Sequence, residues 1–542
     1  MSAPVWPGGE LTYDRLPERF NIVPLLLDRH VAEGRGRRLA ILTPQRAVTY
    51  AELADQVDRA ARVLTSLGLR PEERVLLLLP DGPEFAYAFF GAMKAGLVPV
   101  PVPTFGSPDD LAYVLDDSRA AALVVHGSLY DRVERLSVPI PTLRHRLVVG
   151  PGPSGTIDFE AALAGASPRF EAAPTHRDDM AYWLYSSGTT GRPKAVVHLQ
   201  HDMLFCVEPY VRHVLAMTSD DRTFAVPRLS FSYGLTSCLY LPLWCGGSTV
   251  LVAERPDPAS VLALCARFRP TVFFSVPTSF SAILRALAGA GGGEERGAGP
   301  PAPAGVPFPT DLASLRLAVS AGEPLPAGLC AEWVARTGIE CLDGLGATEV
   351  GYIYVSNRPG AVRPGASGRL LPGYRARVVN DEGREVPAGD VGELWVSGES
   401  IAAGYWNKHE QTKTAFVGAW YRTGDRYRVD AEGYYVYQGR SDDLLRVAGH
   451  WVSPLEVEAC LLDHPAVAEC AVVAGKDEAG LVKPRAFVVP RGLPPPEGLE
   501  EALVAHARAR LAPFKAPRWV IFVAELPRTA TGKVQRYRLR QG

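Results

Sequence analysis

The stretch Ser186-Ser187-Gly188-Thr189-Thr190-Gly191-Arg192-Pro193-Lys194 packs hydroxyl side chains, two glycines and a lysine close together. Glycines let backbone amides approach an anion, hydroxyls donate further hydrogen bonds, and Lys194 adds charge, so the stretch reads as a cradle for phosphate groups. Its spacing is G-x-x-G-x-x-K, which is not that of a P-loop, and the residues after it read as strand and not helix. A flexible Ser/Thr/Gly hairpin is the plain alternative for this stretch taken alone. Further along stand Gly344-Leu345-Gly346-Ala347-Thr348-Glu349, Tyr421-Arg422-Thr423-Gly424-Asp425, Gly439-Arg440-Ser441-Asp442-Asp443 and Pro527-Arg528-Thr529-Ala530-Thr531-Gly532-Lys533. Each holds a charged side chain among turn-forming residues.

The elements that must position these groups follow an alternating pattern. Apolar runs at 181–185 and 195–198 flank the first stretch as two strands. Elsewhere the sequence predicts strands at 75–79, 98–102, 122–125, 272–275 and 315–320, with helices at 84–95, 109–117 and 260–267. That alternation is βαβ grammar, and the body of the chain is expected to be α/β. Between 286 and 309 the composition collapses to Gly, Ala and Pro, which cannot bury enough apolar surface to offset ordering, so a mobile loop is expected there. Residues 433–437 read as a strand and 439–443 as a tight polar turn. A compact series follows: helix 455–462, strands 468–473 and 485–489, helix 499–511 and strand 519–523. The expected fold is therefore α/β, with a large N-terminal domain over 1–439 built of α/β subdomains. A small α+β domain follows over 440–542, its boundary at the turn around Asp442.

Composition narrows the function classes. The chain has 542 residues and a net charge of -2, with 57 basic and 59 acidic side chains, which gives no footprint for nucleic acid or an anionic membrane. A small-molecule substrate is the expectation. The basic run from Arg35 to Arg38 is short and reads as a solvated turn. Eight cysteines without C-x-x-C spacing read as reduced core residues of a cytoplasmic protein. No leader-like start and no apolar run long enough to span a bilayer are apparent.

In order and approximate spacing the five motifs resemble the adenylate-forming superfamily of acyl- and aryl-CoA synthetases, peptide-synthetase adenylation domains and beetle luciferases. The resemblance covers nearly the whole chain. Ser320-Ala321-Gly322-Glu323-Pro324-Leu325-Pro326, Asp343-Gly344-Leu345-Gly346 and Ser356-Asn357-Arg358-Pro359-Gly360 are most similar to the benzoate-CoA ligase group, which includes anthranilate-CoA ligases. The resemblance implies an ATP-dependent ligase using ATP, Mg2+ and coenzyme A on an aromatic acid. Under it, Ser186 to Gly191 and Lys194 hold phosphate, and Glu349 coordinates the metal, as a hard cation bridging phosphates prefers a carboxylate. Thr348 contacts the α-phosphate; Ala321, Gly322, Glu323 and Asp343 to Gly346 wrap the adenine. Many relatives carry an aromatic where this chain has Leu345, which packs without stacking. Asp425 accepts both ribose hydroxyls and Arg440 braces the same sugar. Lys533 supplies the positive charge between attacking carboxylate and α-phosphate, on a small lid domain that turns about Asp442. Gly449 and His450 then line the thiol tunnel. Glycine at 449 also suits a turn with positive φ.

The acid pocket is expected to begin at Phe231-Ser232-Tyr233-Gly234. Amino-acid-activating relatives usually carry an aspartate where Ser232 stands, which argues against an α-amino acid. Ala321, Gly346, Gly351 and Tyr352, with the flat ring of Tyr233, suit a planar acid better than an alkyl chain. Ser232, Gly351 and Tyr352 depart from the benzoate pattern towards a roomier pocket with one more hydroxyl, which fits a substituted benzoate such as anthranilate. Gly351 as relief of backbone crowding and Tyr233 as simple core are the alternatives. A stand-alone enzyme loading a carrier protein and an aliphatic acyl-CoA synthetase share the motifs. A luciferase-type oxygenase has no residue pointing to it, and a non-catalytic relative would be expected to lack Lys533 or Glu349. A homodimer is left open.

Overall fold

The computed structural model describes residues 11–186, 192–289, 312–440, 445–447, 450–478, 481–492, 494–528 and 534–540. Two compact units emerge from the contacts within the chain. The first comprises Met1–Pro364, Gly368–Arg375 and Ser397–Tyr421; the second comprises Gly365–Ser367, Ala376–Val396 and Arg422–Gly542.

In the first unit, continuous apolar runs form strands covered on both faces. Arg74–Leu78 lies between Val98–Pro101 and Ala122–His126, and His145–Val149 and Ile157–Asp158 complete a five-stranded parallel sheet. Such burial on both sides is what parallel pairing with helical crossovers requires. Helix Tyr50–Ser66 starts at a capping box in which Thr49 accepts from the Glu52 amide and Glu52 accepts from the Thr49 amide. A cap of this kind is worth about 1 kcal/mol. Helix Pro108–Ser118 begins the same way, with Ser107 and Asp110.

The second sheet of this unit has nine strands. Arg222–Ala225, Val272–Ser275, Leu317–Ser320 and Cys341–Gly346 run parallel through its middle, and Cys341–Gly346 then pairs antiparallel with Ile353–Ser356. Phe273, Ala318 and Cys341 join Phe280 and Trp333 in one core beneath it. A third, three-stranded antiparallel sheet joins Met180–Ser186, Lys194–Leu199 and Gly404–Tyr405, so the residues after the cradle do form a strand. In the second unit, residues 425–429 of strand Trp420–Val429 pair with Tyr435–Arg440. The helices Pro454–Leu462 and Leu499–Arg510 pack with the sheet Val467–Lys476, Val482–Pro490 and Trp519–Phe522 around their own core.

Three sequence expectations need correction. Residues 286–289 close helix Pro277–Gly289, where Ala286 and Leu287 pack on the core; the rest of the expected mobile loop, 290–309, lies outside the described residues. Gly433 and Tyr434 belong to a turn organised by Asp430, which accepts from the amides of Glu432 and Tyr434, and the strand begins at Tyr435. Gly439 and Arg440 are not a turn: they continue that strand opposite Arg426 and Asp425. Residues 441–443, and with them the expected boundary at Asp442, fall outside the described residues. All eight cysteines are free, and all but the partly exposed Cys245 are buried. Among the described residues no helix is long and apolar enough to cross a membrane.

Candidate active site

Strand Cys341–Gly346 delivers the chain into a single 3-10 turn, Thr348–Val350, at its carboxyl end. The turn is fixed on several sides. The Ala402 amide donates to the Glu349 carbonyl at 2.9 Å, and Ser400 Oγ donates to the Val350 carbonyl at 2.8 Å. Glu349 itself is buried. Its Oε1 accepts from the Tyr405 phenol at 2.8 Å and from Ser186 Oγ at 3.4 Å, while its Oε2 has no protein partner among the described residues.

A carboxylate with one oxygen anchored and the other open fits Mg2+, which takes most of its ligands from phosphates and water. No group of three or more acidic, histidine or cysteine ligands exists among the described residues. Lys194 stands opposite Ser186 in the hairpin register, and its Nζ lies 3.9 Å from the Tyr405 ring centroid. The third sheet thus gathers Ser186, Lys194, Tyr405 and Glu349. Residues 187–191, the rest of the expected cradle, are outside the described residues.

The adenine-binding candidates sit at neighbouring strand ends. Ser320 pairs in register with Asp343, and both are buried. Ala321 is buried, Gly322 is exposed with φ +87°, and Glu323 and Leu345 are half-buried. Ser275, in register with Ser320, also buries a hydroxyl without a protein partner among the described residues, as Ser320 does. In the second unit Asp425 and Arg440 face each other across the hairpin. Arg440 donates to Asp425 Oδ1 at 3.2 Å, and the Tyr437 phenol reaches the same oxygen at 3.4 Å. Lys533, Gly449 and Asp442 lie outside the described residues, and only the backbone of His450, in strand His450–Val452, is described.

The candidate acid pocket is aromatic, with most of its hydroxyls already engaged. The Tyr233 phenol donates to the Val319 carbonyl at 2.9 Å and its ring lies 6.1 Å from that of Tyr352. Tyr352 pairs its own hydroxyl with Ser237 at 2.8 Å and meets Tyr210 edge-on. Burial pushes both phenols well above their usual range, so both stay neutral. Ser232, at the start of helix Ser232–Leu235, has no side-chain partner among the described residues.

The two glycines have different backbone reasons. A Cβ on Gly346 would stand 2.9 Å from the Tyr352 carbonyl oxygen, so the close strand approach excludes a side chain. Gly351 has φ +84°, while a Cβ there would meet Cys206 and His198 at ordinary contact distances of 3.5 and 3.6 Å. Left-handed geometry, not crowding, selects glycine at 351.

Tyr405 and Asp81 are among the groups that the sequence does not reveal. Tyr405 comes from a strand only two residues long. Asp81 accepts through Oδ1 from the Leu229 amide at 3.2 Å and its Oδ2 lies 3.3 Å from Arg228 Nε, which secures the segment leading to Ser232 and Tyr233. A carboxylate following an apolar strand was its one visible signal.

The family model described as AMP-binding enzyme matches residues 27–406, and that for the AMP-binding enzyme C-terminal domain matches 456–533. A benzoate–CoA ligase of Thauera aromatica is 43% identical over 529 residues, covering 97% of each chain. The solved structure of an anthranilate CoA ligase with anthranoyl-AMP superposes with TM-score 0.90 at 39% identity, over 98% of both chains. A benzoate CoA ligase from Burkholderia xenovorans LB400 gives TM-score 0.84 at 40% identity, over 96% of this chain and 100% of that one.

Proposed function

The chain belongs to the AMP-binding enzyme family, and from that premise we propose that it ligates an aryl acid to coenzyme A at the expense of ATP, through an aryl-adenylate. The acid is benzoate or a substituted benzoate such as anthranilate. One observation carries the reading: the turn bearing Thr348 and the half-open carboxylate of Glu349 runs directly into Gly351 and the aromatic wall at Tyr352. Phosphate chemistry and a flat, neutral pocket share one short segment.

The acid arrives ionised, its pKa being about 4, and needs no general base. Its oxygen attacks the α-phosphorus, the bond to the bridging oxygen of pyrophosphate breaks, and an aryl-adenylate forms. Thr348 contacts the α-phosphate, and Ser186 and Lys194 hold the outer phosphates together with residues 187–191. Glu349 offers Oε2 to Mg2+, orientated by the Tyr405 phenol on Oε1. When bound, the metal neutralises charge on the phosphate oxygens. Ala321 to Glu323 and Asp343 to Gly346 surround the adenine, and Asp425 with Arg440 holds the ribose. Lys533 adds preorganised positive charge where the carboxylate meets phosphorus.

In the second half-reaction the thiol sulfur attacks the acyl carbon, its proton is released, and AMP leaves. Residues 440–542 are read as the lid that swaps Lys533 for Gly449 and His450 about Asp442. Tyr233, Tyr352, Gly346, Gly351 and Ser232 shape the acid site.

Pyrophosphate release measured over benzoate, aminobenzoates, hydroxybenzoates and medium-chain fatty acids, with and without CoA, tests the proposal. Turnover of benzoates with thioester formation is expected. Turnover of the aliphatic acids alone would leave adenylation standing and overturn the pocket; activity with a carrier protein but not CoA would redirect the thiol acceptor.

A further inference from the structure

The Thr348–Val350 turn is held from inside the protein by a polar side chain that no step above uses. His198 is fully buried on strand Lys194–Leu199. Its Nε2 lies 2.7 Å from the carbonyl oxygen of Thr348, and its Nδ1 lies 2.9 Å from Oδ2 of Asp202. Both partners are acceptors, so the geometry asks both ring nitrogens to donate.

Asp202 is equally buried, at the first residue of helix Asp202–Tyr210. It is fixed in turn by the Leu199 amide, which donates to Oδ2 at 3.1 Å, while Oδ1 lies 3.1 Å from Nε2 of His201 without a hydrogen bond among the described residues. The His198 ring also stacks on Tyr182, with centroids 4.8 Å apart and planes 11° from parallel. Three restraints therefore leave the imidazole one orientation. Charged and polar groups are expensive to bury, and an apolar side chain would fill the same strand position without that cost. What the imidazole adds is a strong donor aimed at the carbonyl that joins Thr348 to Glu349.

We propose that His198, orientated by Asp202, is a positioning residue for adenylation: it fixes the Thr348 carbonyl and so sets the Thr348 hydroxyl and the Glu349 carboxylate in register with the α-phosphate. The inference rests on the roles given above to those two side chains.

The test uses the full chain carrying His198→Leu, His198→Gln or Asp202→Asn, with Glu349→Gln as a control on the underlying reading. Pyrophosphate exchange with benzoate, AMP binding by calorimetry without metal, and thermal midpoints are measured for each. His198→Leu is expected to lower the exchange kcat on the order of tenfold and to weaken AMP several-fold, with the KM for benzoate unchanged. His198→Gln, whose amide can still donate to Thr348, recovers much of both losses at a similar thermal midpoint. Asp202→Asn follows His198→Leu in direction, and it decides the question if the leucine variant does not fold. Wild-type exchange and AMP affinity in Asp202→Asn, no advantage of Gln over Leu, or a change confined to the benzoate KM overturns the proposal. Normal exchange in Glu349→Gln would instead remove the reading beneath it.

Discussion

The phenol of Tyr405 donates to Oε1 of Glu349 at 2.8 Å while the face of the same ring lies 3.9 Å from Nζ of Lys194. One side chain therefore orientates a carboxylate and cushions a cation, and the two functions can be separated. Tyr405→Phe keeps the ring for Lys194 and removes the donor to Glu349. A hydrogen bond to a charged acceptor is worth about 1.5–3 kcal/mol. Adenylation kcat is expected to fall roughly tenfold or more, with a raised requirement for Mg2+, while the KM for the acid stays put. Pyrophosphate exchange at varied Mg2+ reads this directly, and an unchanged metal requirement would count against the role given to Glu349.

Ser232 is the hydroxyl of the proposed acid pocket that has no protein partner among the described residues, whereas Tyr233 and Tyr352 have engaged theirs with Val319 and Ser237. If the pocket takes a substituted benzoate, that hydroxyl is the group that answers the substituent. Ser232→Ala is then expected to shift kcat/KM towards benzoate over anthranilate or hydroxybenzoates by about 1–2 kcal/mol, or some tenfold. Competition assays with paired acids measure the ratio. An equal effect on every acid would assign Ser232 to the fold of its helix instead.

Much of the architecture is legible in the sequence because its signals are local. The runs around 75–79 and 122–125 are apolar throughout, as strands covered on both faces must be, and the two strands flanking the cradle declare themselves on either side of Ser186 and Lys194. The site is legible only where a motif carries it. Tyr405 meets Glu349 across 56 residues and His198 meets Thr348 across 150, and no periodicity records such pairings. The one trace of His198 is its place amid Val196, Val197 and Leu199, a polar ring in an apolar strand. The misjudged turn at Gly439 and Arg440 has a similar cause. Glycine and charge there look like a loop until Arg426 and Asp425 arrive opposite to pair with them.

Asp81 gives the chain a pH dependence of definite sign. Burial pushes its carboxyl up to about 6, against the pull of Arg228 and the Leu229 amide. A raised carboxyl pKa favours the protonated form in the folded state, so its contribution to stability is full below about 4 and is lost as pH rises through 6. Asp81→Asn removes that dependence. Between pH 4 and pH 7 the variant should gain on the wild type by on the order of 2–3 kcal/mol, seen as a thermal midpoint that falls less with rising pH. A pH-independent difference between the two would mean that Asp81 is ionised throughout.

The two half-reactions should come apart by mutation at Lys533 and Gly449. Lys533 is assigned the charge that draws the carboxylate to phosphorus, a demand that ends once the adenylate exists. Lys533→Ala is therefore expected to lose acid-dependent pyrophosphate exchange by about a hundredfold or more and still turn supplied aryl-adenylate into thioester. Gly449 is proposed to line the path of the thiol, where a side chain is expected to obstruct passage without impairing the earlier step. Gly449→Leu should keep the exchange and abolish the thioester. Both variants are assayed with the same two readouts, exchange and thioester yield from synthetic adenylate. A Gly449→Leu variant that loses both would move that glycine from the tunnel to the fold, because a residue needed only for the second acceptor cannot impair the step that precedes it.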